Sequence, residues 1–303
     1  MKTPLRSLIA ALAVLGLAAS PASAITYGVP DDGEHPYVGF MIFYDPTEDA
    51  WFSCSGTLLD DDTFLTAAHC TFGIGTEGEL PDTSGGTDVW VTFRDTTVLA
   101  GWPLRSEVPD VYPDTDALNA ARRAWLEDPA NGYVGGTAFP HPSYDNFAAF
   151  PTNFDVGVVE LDGGGVQLAE YGVLAAIGTA EAMVAEAKNK NAAIVETVGY
   201  GIQSIAPHPM DEETRYKSTS RIVEVNGKAS QSGNLHTLNN PSSVGGTGGS
   251  CFGDSGGPLL VNDTNQVLAV VSYGFSGTCH GADYAWRVDT ADSYAFVLPF
   301  LGS

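Results

Sequence analysis

Apolar residues along this chain come in short runs rather than long helical stripes. Residues 37–44 form an apolar, aromatic-rich run that reads as a strand. Two more strands are predicted at 52–59 and 64–68, split by the turn-like Asp60-Asp61-Asp62. Residues 73–87 are loop-like, and 89–93 alternate as another strand. The run 155–161 ends at Gly163-Gly164-Gly165. Further strands are predicted at 193–200, 220–225, 259–261 and 267–273. Helical spacing is confined to a few places. Ala117, Leu118, Ala121, Trp125 and Leu126 mark a helix over 116–127, with Asp114 or Thr115 able to cap it and Pro129 and Asn131-Gly132 to end it. Short helices are also predicted at 179–188 and 291–301. The pattern predicts two β-rich halves, barrels or sandwiches, meeting near 163–178. A helical insertion over about 101–136 interrupts the first half, and we read it as packing rather than as a lid or exosite.

The first 24 residues fall outside this pattern. Lys2 and Arg6 precede an apolar run from Leu8 to Ala19, and Ala22-Ser23-Ala24 forms a small-x-small exit. This is the form of a secretory signal peptide and is too short for a membrane span. The expectation is therefore a secreted chain with domains at 25–170 and 171–303. Without the leader, 11 basic and 37 acidic residues remain, a net charge of −26. A surface so acidic repels nucleic acid and anionic membranes. Four cysteines, Cys54, Cys70, Cys251 and Cys279, suit two disulfides in an exported protein, and spacing leaves three pairings open. None forms a Cys-x-x-Cys pair, so no metal site is predicted.

Three segments carry candidate chemistry. Ser255 lies in Gly253-Asp254-Ser255-Gly256-Gly257-Pro258, where glycines permit a tight turn that exposes the hydroxyl and aims the Gly253 and Ser255 N–H groups into one space. A serine hydroxyl is a weak nucleophile and needs a base, which itself needs an orienting carboxylate. His69 ends an apolar strand in Leu65-Thr66-Ala67-Ala68-His69-Cys70, and Asp155 opens the apolar run Val156-Gly157-Val158-Val159. The order His, Asp, Ser disfavours an α/β-hydrolase, which places its acid and histidine after the serine. Only 25 residues separate Ser255 from His280, and no repeated βα pattern follows.

These three motifs, in this order, resemble the catalytic signatures of the chymotrypsin-like (trypsin-like) serine peptidases. Ser53-Cys54-Ser55-Gly56, Val198-Gly199-Tyr200-Gly201 and Ser272-Tyr273-Gly274 are similar to further segments of that family. The resemblance spans about 25–300 apart from the insertion. It implies an all-β fold of two six-stranded antiparallel barrels, a C-terminal helix, and serine endopeptidase activity with His69, Asp155 and Ser255 as the triad. It also implies an oxyanion hole at Gly253 and Ser255, and disulfides Cys54–Cys70 and Cys251–Cys279. The absence of other disulfides common in vertebrate members resembles leaner, often bacterial, relatives. Polypeptide substrates, a monomeric state and no required cofactor follow, with a protein inhibitor as a candidate partner and structural calcium without support in the residues.

In that family a freed aliphatic N-terminus pairs with the Asp before the nucleophile. Asp254 matches the receiver, and Ile25, directly after Ala24, matches the donor, although Ile25-Thr26-Tyr27-Gly28 departs from the usual Ile-Val-Gly-Gly. Leader removal at Ala24–Ile25 is thus expected to activate the chain. The substrate pocket is expected from Gly249, Ser250, Ser272, Tyr273, Gly274 and Ala282. With Gly249 at its base it reads as open and largely neutral, leaning towards apolar or aromatic side chains, while Asp283 lies near enough in sequence to add negative character. A non-catalytic homologue on the same fold is the competing class, and the presence of His69, Asp155, Ser255 and Gly253 weighs against it. The five other histidines, at 35, 141, 208, 236 and 280, lie beside no comparable motif.

Overall fold

In the computed structural model, which describes residues 24–74, 85–96, 98–187, 193–203, 211–227, 233–240 and 246–302, the apolar runs pair into two antiparallel barrels. The predicted leader, His208 and part of the loop at 73–87 lie outside the described residues. The first barrel comprises β1 (Val38–Asp45), β2 (Ala50–Leu58), β3 (Thr63–Thr66), β4 (Val89–Thr92), β5 (Val134–Pro140) and β6 (Gly157–Leu161). It closes in the order β1-β2-β3-β6-β5-β4 because β1 pairs with both β2 and β4. The second comprises β7 (Ile194–Gly199), β8 (Tyr216–Val225), β9 (Asn234–Asn239), β10 (Pro258–Val261), β11 (Gln266–Gly274) and β12 (Gly281–Arg287). Its ring runs β8-β9-β12-β11-β10-β7 and closes through the β7–β8 pairing. Closure removes the free strand edges that would otherwise template aggregation.

Three of these strands were absent from the predicted pattern: β5, β9 and β12. β5 is Val-Gly-Gly-Thr-Ala-Phe-Pro, whose glycines hide any alternation. Its Gly136 is required, since a Cβ there would stand 2.6 Å from the Glu160 carbonyl oxygen of β6.

The insertion helix α1 (Thr115–Glu127) begins at Asp114, whose carboxylate accepts from Ala117 N. It buries Leu118 and Leu126. Asn119 accepts from Trp51 Nε1 at 2.9 Å, and Arg123 pairs with Asp88. An aromatic chain runs from Tyr44 through Trp51 and Trp102 to Trp125, each ring 5.4 Å from the next. The insertion thus covers the outer face of the first barrel. α2 (Thr179–Glu186) sits beside the second barrel, and α3 (Ala291–Val297) returns to the first, where Phe300 stacks near Phe139 and Thr63 donates to the Phe300 carbonyl.

A buried charge network joins the two barrels. Arg215, 1% exposed, donates to Asp31 at 2.8 Å and to the Val38 carbonyl and Tyr200 hydroxyl, and pairs with Asp95 at 3.0 Å. His35 contacts Asp31 at 2.5 Å and Glu196 at 3.5 Å. Burial opposes charging, but His35 and Arg215 hold Asp31 down to about 2, while Asp31 and Glu196 push His35 up to about 9.

Candidate active site

His69 occupies a single 3₁₀ turn, Ala68–Cys70, at the end of β3. Cys70 is disulfide-bonded to Cys54 of β2, so the turn is tied to its neighbouring strand. The fully buried Asp155 reaches it from the start of β6. His69 N donates to Asp155 Oδ1 at 2.8 Å, and Nδ1 lies 2.9 Å from Oδ2. Asp155 Oδ2 also accepts from Ser272 Oγ at 2.5 Å, and Asn153 Nδ2 stands 3.3 Å from that Oγ. With the carboxylate accepting, the ring proton sits on Nδ1 and Nε2 keeps its lone pair. Burial resists a charged ring, yet Asp155 overrides it and holds His69 above its ordinary range.

The residue before Asp155 is strained. Phe154 has φ +49°, unusual for a bulky side chain. Its ring is stacked on His141 at 5.2 Å and packed on Trp286 at 5.4 Å, contacts that hold the backbone at the angle presenting Asp155.

Ser255 sits between β9 and β10 in a turn closed by the Cys251–Cys279 disulfide. Gly253 and Gly256 have φ +97° and +77°. A Cβ at Gly256 would stand 2.0 Å from Thr66 Oγ1, so glycine lets this loop meet the His69-bearing strand. Ser55 of β2 anchors the loop across the barrel interface: its N–H donates to the Ser255 carbonyl at 2.8 Å and its Oγ to the Gly253 carbonyl at 2.9 Å. Sequence reasoning noted the Ser55 segment only for its likeness, because its partners lie some 200 residues away. With both carbonyls engaged from one side, the N–H groups of Gly253 and Ser255 meet no acceptor among the described residues. Ser255 and His69 line the same cavities without a hydrogen bond joining them here, a spacing common before substrate enters.

Asp254 points inward. Its carboxylate accepts from Gly201 N and Cys251 N, each at 2.8 Å, and forms no ion pair among the described residues. Burial pushes it up to about 7 despite those donors. Ile25 is fully buried against Tyr216, with φ +49°, and Thr26 bridges to Gly249. The chain is continuous with Ala24, so Ile25 has no ammonium.

Two cavities meet at Ser255 and His69. One, of about 270 Å³, is lined by Ser250, Ser272, Tyr273 and Gly274 of the predicted set, and also by Phe147 and Asp283. Gly249 and Ala282 lie outside its lining: Gly249 turns towards Asn239, whose side chain a Cβ would strike at 2.5 Å. The expected neutral pocket therefore holds a carboxylate. Asp283 accepts from Ser250 N at 2.9 Å and Ser250 Oγ at 2.8 Å, and burial pushes it up to about 6 against these donors. The second cavity, about 540 Å³, opens on the Cys54 and Gly253 side.

The other described histidines are engaged elsewhere. His35 belongs to the Arg215 network, His141 stacks on Phe154, His236 on Tyr284, and His280 meets Tyr27. Cys54, His69 and Cys70 cluster, but both thiols are spent in the disulfide. Asp60, Asp61 and Asp62 also cluster, yet the Asp60 carboxylate is occupied by the N–H groups of Asp62, Thr63 and Gly302. Neither group makes a case for a metal.

A family model described as Trypsin matches residues 118–294, more than half of the chain. The matched span includes Asp155 and Ser255 but begins after His69, whose place at the site rests on geometry. Among solved structures, HL collagenase aligns at 18% identity over 89% of this chain and 95% of its own, with a TM-score of 0.54. The structure of GrC aligns at 17% over 90% and 96%, TM-score 0.54. Human heparin binding protein aligns at 14% over 89% and 94%, TM-score 0.55. At these identities they share the fold. No curated protein sequence matches the chain.

Proposed function

This chain belongs to the trypsin family of serine endopeptidases, and from that premise we propose that it is a secreted enzyme cutting polypeptides through an acyl-enzyme on Ser255. One observation carries the reading: a buried carboxylate, Asp155, holds both the backbone and the Nδ1 of His69 beside the Ser255 turn.

The steps follow from the atoms present. His69 Nε2 takes the Ser255 Oγ proton as Oγ attacks the substrate carbonyl carbon. The developing oxyanion moves towards the N–H groups of Gly253 and Ser255, which meet no acceptor among the described residues. The C–N bond breaks as His69 returns the proton to the leaving amine. Water then attacks the ester by the same proton route, releasing the acid and Ser255. Asp155 stabilises the imidazolium in both halves and fixes its orientation. Family members generally act on polypeptides without a cofactor.

Activation follows from Asp254. A buried carboxylate without a cation is costly, and the chain holds Ile25 buried in a strained conformation against Tyr216, with Thr26 bridged to Gly249. Leader cleavage at Ala24–Ile25 would free an ammonium there to pair with Asp254. Secretion is supported by the leader pattern and the two disulfides. The 270 Å³ pocket, with Asp283 and Ser250 in its lining, suits a basic side chain on the acyl side of the cut.

A binding module on the same fold is the other class, since human heparin binding protein shares that fold. The complete His69, Asp155 and Ser255 set favours the enzyme. Digestion of an unfolded protein by material starting at Ile25 tests this. Cleavage by wild type and none by Ser255→Ala supports the proposal; equal cleavage, or none by the folded wild type, overturns it.

A further inference from the structure

The 540 Å³ cavity lies on the side of Ser255 away from Ser272–Gly274, on which the acyl part of a substrate would lie. A polypeptide crossing Ser255 must place its leaving segment there. The walls combine two chemistries. Phe52 and Phe252 are 44% and 59% exposed, and Ile202 adds a third apolar surface. Its lining includes Asp45, Asp211 and Glu213, and among the described residues no lysine or arginine lines it. Arg215 does not neutralise it, because its guanidinium is engaged by Asp31 and Asp95. Asp211 Oδ1 accepts from Glu213 N, which fixes the two acidic residues beside each other.

We propose that this cavity selects the leaving side of the substrate, taking a large apolar residue directly after the cut and basic residues in the next two positions, with Asp211 and Glu213 as the specificity-determining charges. The inference rests on the peptidase reading. Its physical ground is complementarity: exposed apolar walls gain by excluding water, while two adjacent carboxylates with no ion-pair partner among the described residues favour a positive ligand and disfavour a negative one. Burial, and after it the charge of Asp211, pushes the half-buried Glu213 carboxyl above its usual range.

Acyl transfer isolates this side from the other. A peptide ester acylates Ser255, and an added peptide amide competes with water for the acyl group. The amine nitrogen forms the new C–N bond, the ester C–O bond breaks, and the amine proton returns through His69 to Ser255 Oγ. Three nucleophiles suffice: Leu-Arg-Arg-amide, Leu-Gln-Gln-amide and Leu-Glu-Glu-amide. The ratio of aminolysis to hydrolysis is read within each enzyme, so changes in overall activity cancel. The expected order is Arg over Gln over Glu, with about a tenfold span at low salt that shrinks as salt rises. Asp211→Asn with Glu213→Gln should compress the span to about twofold, and each single variant should compress it in part. Equal partitioning of the three nucleophiles, or a span that survives both the double variant and salt, would overturn the inference. Absence of any ester hydrolysis by wild type would instead remove the peptidase reading, and this inference with it.

Discussion

His69 Nδ1 lies 2.9 Å from Asp155 Oδ2, and the His69 backbone N–H meets the other oxygen of the same carboxylate at 2.8 Å. One buried side chain therefore sets both the place of the histidine and its tautomer. Asp155→Asn keeps the size but offers an amide N–H where Nδ1–H needs an acceptor. We predict that kcat falls by about 10⁴-fold while the circular dichroism spectrum is unchanged. A loss under tenfold in a folded variant would contradict this role.

Asp283 gives the acyl-side pocket a titration of its own. Its carboxyl is pushed up to about 6 by burial, against donors from Ser250. Below that pH it is neutral; above it, it attracts a cation. The ratio of kcat/KM for arginyl over phenylalanyl substrates should therefore rise as pH passes upward through about 6. Dividing one substrate by the other removes the common dependence on His69. Asp283→Asn should flatten the ratio, and a flat wild-type profile would count against the assignment.

Asp254 links processing to stability. It is pushed up to about 7 in the uncleaved chain, whereas an unfolded aspartate titrates near ~3.9. Between these values the folded state keeps a proton that the unfolded state has lost. Stability of the uncleaved chain should thus fall as pH rises from about 4 to about 7. In a chain starting at Ile25, the ammonium supplies the missing charge and the fall should be reduced. Melting temperatures of the two forms should diverge over this window; parallel curves would contradict the pairing.

Arg215 holds Asp31, Asp95, Tyr200 and the Val38 carbonyl together from a fully buried position. Arg215→Met leaves the buried Asp31 with His35 as its remaining partner and removes the guanidinium from Asp95, Tyr200 and the Val38 carbonyl. Urea denaturation should show a loss of about 3–5 kcal/mol. A loss below about 1 kcal/mol, the scale of a surface pair, would show that the network contributes little.

The candidate residues His69, Asp155 and Ser255 are legible in the sequence because they stand in short distinctive runs: Ala67-Ala68-His69-Cys70, Asp155 before an apolar strand, and the glycines around Ser255. Most strands were legible from apolar runs alone. β9 escaped because Asn-Leu-His-Thr-Leu-Asn is polar on both faces, and pairing with β8 and β12 defines it instead. Ser55 and Arg215 escaped for a related reason. Each acts through partners from remote segments, and nothing local distinguishes a serine that anchors the Ser255 loop from one on a surface. Asp283 stands out in the sequence only by its proximity to the pocket segments, and the fold turns it towards Ser250.

The account depends most on Ser255 being an activated nucleophile. A fluorescent peptidyl phosphonate diphenyl ester, followed by peptide mapping, tests this on the protein that begins at Ile25. The account predicts one label per chain, on Ser255, lost in Ser255→Ala and slowed in Asp155→Asn. Labelling elsewhere, or no labelling of folded wild-type protein, would contradict it.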